Sequence, residues 1–149
     1  MKPTILLAAI LFASCAGGLP EPVAIDTRND TCAWCRMAVS DPRFAAQVVA
    51  PSEEPKLFDD LGCLKDWLKG GAKPASGAIA YVADHRTRAW VRAVDAVYAR
   101  VPQLSTPMGS GLVAWSDEAS RAADPDAAGG TTVTIAEIFG ATPPPGGRP

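Results

Sequence analysis

The stretch Cys32-Ala33-Trp34-Cys35-Arg36-Met37 decides the fold expected of this 149-residue sequence, because it places three sulfur-bearing side chains within six residues. A Cys-x-x-Cys pair in a tight turn can hold one metal ion between its two thiolates. The thioether of Met37 is a soft, neutral donor, and thiolates combined with thioethers favour Cu(I) over zinc. The motif therefore predicts a small domain built around a soft-metal site, with Cys32, Cys35 and Met37 as candidate ligands.

Two more sulfurs lie further along the chain. Met108 stands in Thr106-Pro107-Met108-Gly109-Ser110-Gly111, whose glycines allow the close backbone approach of a ligand loop. We therefore expect Met108 to be a ligand as well. Cys63 begins an amphipathic segment, and a helix N-terminus would lower its thiol pKa, so Cys63 is a further candidate ligand. The interpretation that we favour for Cys63 is a small buried packing residue, because free cysteines are often buried.

A thiol–disulfide reductase that uses Cys32 and Cys35 is one alternative to a metal carrier. A thioredoxin-type pair follows an apolar strand, and its first cysteine begins a helix. Here the polar Asn29-Asp30-Thr31 precedes the pair instead. Such an enzyme would need neither Met37 nor Met108, so the methionines distinguish the two functions.

A structural zinc site is the second alternative, with Cys32, Cys35, Cys63 and His85 as its four ligands. It leaves Met37 without a role. His85 lies in a polar stretch between two candidate strands, a position that predicts an exposed turn residue more often than a ligand.

Short runs of β-branched and aromatic residues predict strands, and apolar residues at helical spacing predict helices. Ser116-Asp117-Glu118 is a candidate cap for a second, short helix, and Gly70-Gly71 would end the first. The fold class is therefore α+β, a small domain of short strands and two or three short helices, and no internal repeat is visible. The predicted strands are 44–49, 79–82, 96–98, 112–115 and 131–134. The predicted helices are 61–68 and a second one that runs from the cap at 116–118 through Ala123, with a final helical turn at 135–139.

Residues 1–14 read as a lipoprotein signal peptide, with Lys2 before a short apolar run that is far below the ~20 residues of a membrane span. Leu11-Phe12-Ala13-Ser14-Cys15 resembles a bacterial lipobox, so we expect lipidation of Cys15 and anchoring to a membrane. The alternative is an ordinary cleaved signal with an incidental cysteine. Residues 15–30, rich in Gly and Pro, read as a flexible tether.

The remaining boundaries follow from composition. We expect a folded domain over residues 31–141 and a disordered Pro/Gly-rich tail over 142–149. The formal net charge of the chain is −2, so no basic surface for nucleic acid is expected. Loss of the signal peptide makes the charge more negative, and anchoring would then depend on the acyl chains.

Several blocks together resemble the NosL family. Cys32–Met37 followed by Ser40-Asp41-Pro42-Arg43-Phe44-Ala45-Ala46-Gln47 looks like its signature, Phe58-Asp59-Asp60-Leu61-Gly62-Cys63 like its second motif, and Thr106–Gly111 like its last. The resemblance implies two ββαβ-like, treble-clef-like units. Within it, Cys35, Met37 and Met108 match the better candidate ligands. Many members carry Gly where this chain has Arg36, which places a cation beside the site.

The resemblance also implies a function. It indicates a Cu(I) chaperone rather than an enzyme, one that helps to load nitrous oxide reductase together with an ABC-type membrane complex for copper-site assembly. The lipobox agrees with a family of lipoproteins on the periplasmic side of a bacterial membrane, and we expect that membrane to be the outer membrane.

Overall fold

The computed structural model describes residues 18–146, so the predicted signal peptide and Cys15 lie outside the described residues. Within them, short strands form two antiparallel sheets, accompanied by three short helices and one 3-10 turn at Pro125–Ala127. The elements are β1 (Ala46–Val49), β2 (Lys56–Phe58), α1 (Leu61–Lys69), β3 (Ile79–Ala83), β4 (Trp90–Arg92), β5 (Val97–Arg100), β6 (Leu112–Trp115), α2 (Glu118–Ala122), β7 (Thr131–Val133) and α3 (Ile135–Phe139).

The order β-β-α-β occurs twice along the chain, as β1-β2-α1-β3 and as β5-β6-α2-β7. In each unit the first strand is central, giving the orders β2-β1-β3 and β6-β5-β7, and β4 extends the first sheet beyond β3. This confirms the α+β class and the two ββαβ-like units. The five predicted strands and three predicted helices are confirmed within a few residues. The sequence missed β2 and β4, which are only three residues long and contain Lys56, Arg92 and half-buried neighbours.

Helix α1 begins where Asp60 caps it. The backbone of Asp60 is extended, and its carboxylate accepts a hydrogen bond from the Gly62 N–H at 2.6 Å. The helix ends at Gly70, whose N–H donates to the Asp66 carbonyl at 2.8 Å. One face is apolar and buried, and it consists of Leu61, Leu64 and Leu68.

One hydrophobic core joins the two sheets. Val48 and Val82 from the first sheet and Tyr98 from the second belong to the same buried cluster, together with the apolar faces of α1 and α3. Helix α3 is short but carries a capping box, in which Thr134 and Glu137 each accept from the other's backbone. The two units therefore form a single packed body rather than two independent ones.

A buried polar network closes the junction between β3 and β6. Asp84 accepts from the Ser116 N–H at 2.7 Å, which ties the end of β3 to the end of β6. His85 Nδ1 lies 2.7 Å from Asp124 Oδ2, and Trp115 Nε1 donates to the same oxygen at 2.8 Å. The prediction that His85 is an exposed turn residue is wrong, because its side chain is only 2% exposed in this network.

The segments that flank the predicted domain also contact the first sheet. The Tyr81 hydroxyl donates to the Pro20 carbonyl at 2.6 Å, and the Gln47 amide exchanges two hydrogen bonds with the backbone of Val23. At the other end, the Ala80 N–H donates to the Pro145 carbonyl at 2.9 Å. The predicted tether and tail are therefore held against β1 and β3 at these residues.

Replacement of Asp124 by Ala should destabilise the fold. Burial raises the pKa of Asp124, but the hydrogen bonds from His85, Trp115 and the Asp126 N–H outweigh it, so the net pKa lies below its usual value and the carboxylate is ionised at neutral pH. Its removal leaves two buried donors without an acceptor. We expect the free energy of unfolding, measured by urea denaturation, to fall by about 2–4 kcal/mol.

Asp126→Ala is the matched control for Asp124→Ala. The Asp126 carboxylate is half-exposed and lies 3.7 Å from the Arg43 guanidinium. Because exposed ion pairs contribute little, the control should change the free energy of unfolding by less than about 0.5 kcal/mol. Equal losses in the two variants would contradict a structural role for the buried network.

Candidate metal centre

The Cys-x-x-Cys motif forms a closed loop. A β-bridge between Thr31 and Ala38 joins its ends, and the Cys32 N–H donates to the Met37 carbonyl at 2.8 Å. Inside the loop the Arg36 N–H donates to the Cys32 carbonyl at 3.1 Å. Arg36 has a φ of 66°, the left-handed conformation that favours glycine. This turn bends the chain sharply enough to bring both cysteines to one side.

Hydrogen bonds hold this loop against the residues that precede α1. The Ala33 N–H donates to the Leu57 carbonyl at 2.7 Å, and the Asp59 carboxylate accepts from the Ser40 N–H at 2.7 Å. The backbone of Asp59 in turn hydrogen-bonds to the sulfur of Cys32. The loop is therefore docked beside the first turn of α1, which carries Cys63.

Three cysteine sulfurs meet at this junction. The Sγ atoms of Cys32, Cys35 and Cys63 all lie within 4.8 Å of one another. Cys32 and Cys63 are buried, Cys35 is half-buried, and all three are free thiols. Cys63 is thus a buried residue, as the sequence indicated. It also belongs to the candidate site, which was the less favoured of the two interpretations of Cys63 from sequence.

The loop before β6 completes one side of the site. The second carboxylate oxygen of Asp60 accepts from the Met108 N–H at 3.1 Å, which fixes the Met108 loop to the start of α1. A Cβ atom on Gly62 would lie 2.9 Å from the Ser110 Cβ, so glycine is required for this close approach. An open cavity of about 210 Å³ results, lined by Trp34, Cys35, Gly62, Cys63, Lys65, Asp66, Met108 and Ser110.

Of the two methionines among the described residues, only Met108 lines this cavity. Met37, two residues after Cys35, is 56% exposed, against 42% for Met108. Trp34 is 45% exposed, and its ring lies against Gly70 at the end of α1. The structure therefore brings together three cysteines and Met108, and it leaves Met37 outside the cavity lining.

The three thiols do not ionise independently. A hydrogen bond from Cys63, together with the backbone groups of Asp59, Cys35 and Trp34, outweighs burial and lowers the pKa of Cys32 to about 4. The pKa of Cys63 is raised, first by that bond to Cys32 and then by burial. Burial is the main cause that raises the pKa of Cys35. At neutral pH the cluster therefore holds one thiolate and two thiols.

This donor set discriminates between the alternatives that the sequence left open. His85 belongs to a separate group with Asp124 and Asp126, so the proposed fourth zinc ligand does not reach the cysteines. The Cys-x-x-Cys pair lies in turns between two bridge residues, and its first cysteine does not begin a helix as in thioredoxin-type sites. The donors that the cavity offers are therefore cysteine sulfurs and the thioether of Met108, a combination that suits a soft monovalent ion.

The NosL family model matches residues 22–142 of this chain. The chain belongs to the NosL family. Membership implies a copper-binding, chaperone-type protein, from a family not known for enzymes, and the three-cysteine cluster is a possible metal site that agrees with it. A search of curated proteins found no match. Among the described residues of this NosL protein, no helix has the length and apolar character needed to cross a bilayer.

The sequence carried a weaker signal for Cys63, which is a candidate ligand by sequence but was favoured there as a packing residue. Cys63 follows Asp60 by three residues, so the capping aspartate itself places Cys63 on the first turn of α1. That turn faces the Cys-x-x-Cys loop because hydrogen bonds to the Leu57 carbonyl in β2 and to the Asp59 carboxylate hold the loop against the residues before α1. The short, partly polar β2 gave no recognisable strand pattern.

Copper affinity should rise with pH. Cys35 and Cys63 are thiols at neutral pH because their pKa values are raised, and each must lose a proton before it binds a metal ion. Between about pH 6 and 8, we expect the apparent affinity for Cu(I) to increase by roughly one to two log units per pH unit. Chelator competition at several pH values measures this slope.

Cys63→Ser tests the origin of the slope. The variant removes one of the two protons that binding displaces, so the slope should fall by up to about one log unit per pH unit. A flat profile in the unaltered chain would contradict metal binding by Cys35 and Cys63.

Proposed function

We propose that this protein is a membrane-anchored Cu(I) chaperone that delivers copper to a copper enzyme outside the cytoplasm. The observation that carries the proposal is the cluster of three cysteine sulfurs within 4.8 Å of one another, two of which, Cys35 and Cys63, line a cavity together with Met108. Soft sulfur donors of this kind favour Cu(I) over zinc and over Cu(II). Family membership supports the same metal.

A gradient of exposure supports a carrier rather than a permanent metal site. Cys32 and Cys63 are 0% and 3% exposed, Cys35 is half-buried, and the two methionines are the most exposed. An incoming partner can displace a neutral thioether at the surface first and a buried thiolate last. The ion is then exchanged one ligand at a time and is never released to water.

The recipient that fits best is nitrous oxide reductase, with an ABC-type membrane complex as the assembly partner. This part of the proposal rests on the family resemblance of the motifs at 32–37, 58–63 and 106–111. The site itself supports delivery to any acceptor that offers thiolate, thioether or imidazole ligands to Cu(I).

The proposed anchor is an acylated Cys15 on the periplasmic side of a bacterial membrane, the outer membrane being favoured. Pro20 is hydrogen-bonded to Tyr81, so only the residues between Cys15 and Pro20 separate the lipid from the fold. Pro20 follows Cys15 by five positions, and five residues of fully extended chain span at most about 18 Å. The proposed anchor would therefore hold the domain close to the bilayer surface.

Ligand variants test the copper proposal. Cys35→Ser and Cys63→Ser should each weaken Cu(I) binding by at least about tenfold, equivalent to ~1.4 kcal/mol, because each removes a charged ligand. Met108→Leu should weaken binding less, since a neutral donor is lost, and Met37→Leu least, because Met37 does not line the cavity. Competition with a chromophoric Cu(I) chelator measures all four affinities.

Cys15→Ser is the matched control, because it makes the same substitution outside the cluster and should leave Cu(I) affinity unchanged. Met→Leu changes at exposed positions should alter the free energy of unfolding by less than about 0.5 kcal/mol, which circular dichroism can check. Stoichiometric zinc that resists competition by Cu(I), with all methionine variants unaffected, would refute the proposal.

The same Cys15→Ser variant tests anchoring in cells. Two or more acyl chains hold a protein stably on a membrane, whereas one chain gives only marginal binding. Loss of Cys15 should therefore shift the protein from the membrane fraction to soluble or unprocessed forms, as followed by fractionation and immunoblotting. Fractionation identical to that of the unaltered chain would show that another element provides the anchor.

A further inference from the structure

The exposed apolar side chains of this protein are concentrated at the copper site. Among the described residues, the exposed large hydrophobic side chains are Leu19, Trp34, Met37 and Met108. Trp34 and Met108 line the cavity beside the cysteines, one with its ring against the end of α1 and the other on the loop before β6, and Met37 follows Cys35 by two residues. We call Trp34, Met37 and Met108 the sulfur-site patch.

The charges beside the patch are mainly positive. The segments that form it, residues 33–37, 65–70 and 107–110, contain three cations and one carboxylate, although the whole chain has a net charge of −2. Lys65 is paired with Asp66 at 3.0 Å, which leaves Arg36 and Lys69 exposed and without a carboxylate partner among the described residues. Lys69 lies one helical turn beyond Lys65, next to the Gly70 that supports the Trp34 ring.

Two buried carboxylates lie beneath this surface and do not offset its charge towards a partner. Asp59 accepts from Ser40, and Asp60 accepts from the Gly62 and Met108 N–H groups. Both carboxylates are buried, so a docking protein would contact the Arg36 guanidinium and the Lys69 ammonium rather than these carboxylates. The surface that faces outward is thus apolar at its centre and basic at its rim.

We propose that the sulfur-site patch is the docking surface for an acidic protein segment that carries its own thioether ligands, with Arg36 and Lys69 selecting that segment by charge. This inference rests on the proposed Cu(I) function and adds the chemistry of the partner. The ion passes between sulfur ligands as Cu(I), with no electron transferred, and the protons of the cysteine thiols leave to the buffer. Complementary charge at such a rim accelerates encounter and selects partners.

A membrane surface is the other anionic partner that a basic patch can meet. Recognition of anionic lipid typically uses clusters of four to eight Lys or Arg residues. Only Arg36 and Lys69 are unpaired in the described segments around the sulfur cluster. Arg36 directly follows Cys35, which lines the cavity, and Lys69 directly precedes Gly70, which supports the Trp34 ring. The observations therefore favour a protein partner, and lipid binding becomes one outcome of the test.

The test is the rate of Cu(I) transfer to the full chain from two synthetic donor peptides. Both peptides carry the same Met-x-Met core, one flanked by four Asp and the other by four Lys. Stopped-flow mixing should show faster transfer from the acidic peptide, by tenfold or more at low salt, with the ratio shrinking as ionic strength rises. Arg36→Gln and Lys69→Gln should each reduce that ratio, and Arg36→Lys should preserve it.

Arg88 provides a matched control. It is an exposed arginine with a φ of 63°, the same backbone conformation as Arg36, and it lies in the β3–β4 turn at the edge of the sheet away from β2. Arg88→Gln should leave both transfer rates unchanged. Arg36→Gly and Arg88→Gly should both raise the urea midpoint, because glycine adopts the left-handed conformation without the steric cost that arginine has. Only Arg36→Gly should slow transfer from the acidic peptide, because only Arg36 lies at the patch.

Three results would overturn the docking proposal. The first is equal transfer rates from the acidic and the basic peptide, and the second is equal slowing of transfer by Arg36→Gln and by Arg88→Gln. The third is that the Arg36 and Lys69 variants lose binding to phosphatidylserine vesicles but keep the transfer rates of the unaltered chain. The equilibrium Cu(I) affinity of each variant is measured in parallel. It should not change in the Lys69 and Arg88 variants, and the Arg36 variants are compared by the ratio of the two peptide rates, which a uniform change in affinity does not alter. Failure of the unaltered chain to bind Cu(I) would refute the proposed function instead, so the two failures are distinguishable.

Discussion

The buried carboxylate of Asp60 is the constraint on which the geometry of the site depends. One of its oxygens accepts from the Gly62 N–H at 2.6 Å and starts α1, and the other accepts from the Met108 N–H at 3.1 Å. A buried carboxylate is costly unless it is fully hydrogen-bonded, so both partners must be in place together. The helix that carries Cys63 and the loop that carries Met108 are therefore positioned by one side chain.

Asp59, the residue before Asp60, positions the Cys-x-x-Cys loop through hydrogen bonds in the same way. The side chain of Asp59 holds Ser40 just beyond the loop, while its backbone contacts the sulfur of Cys32. The hydrogen bond from Cys63, together with backbone donors that include Asp59, stabilises the thiolate of Cys32. The segment 58–60 thus helps to position the three sulfurs, and the resulting contact between Cys63 and Cys32 places the negative charge on Cys32 before a metal ion arrives.

The twofold ββαβ arrangement gives the site its position between two units. The first unit and the loop before it supply the three cysteines, whereas Met108 comes from the connection between β5 and β6 of the second. An ion bound by Cys63 and Met108 would therefore link the units. On another side of the molecule, the buried network of Asp84, His85 and Asp124 joins them independently of any ion.

The sequence alone determined the α+β class, the three helices, five of the strands and the soft-donor character of the Cys32–Met37 motif. These follow from local information, namely side-chain periodicity, helix caps and the chemistry of neighbouring sulfurs. Only the tertiary structure decided that Cys63 joins the cluster, that Met108 lines the cavity while Met37 does not, and that His85 is buried elsewhere. The positions of Cys63 and Met108 depend on β2, whose three residues carry no local signal, and on Asp60, whose second hydrogen bond spans 48 residues of sequence. The position of His85 depends on its contact with Asp124, 39 residues away. Contacts between distant segments depend on which backbone groups become buried together, and a local pattern does not encode that pairing.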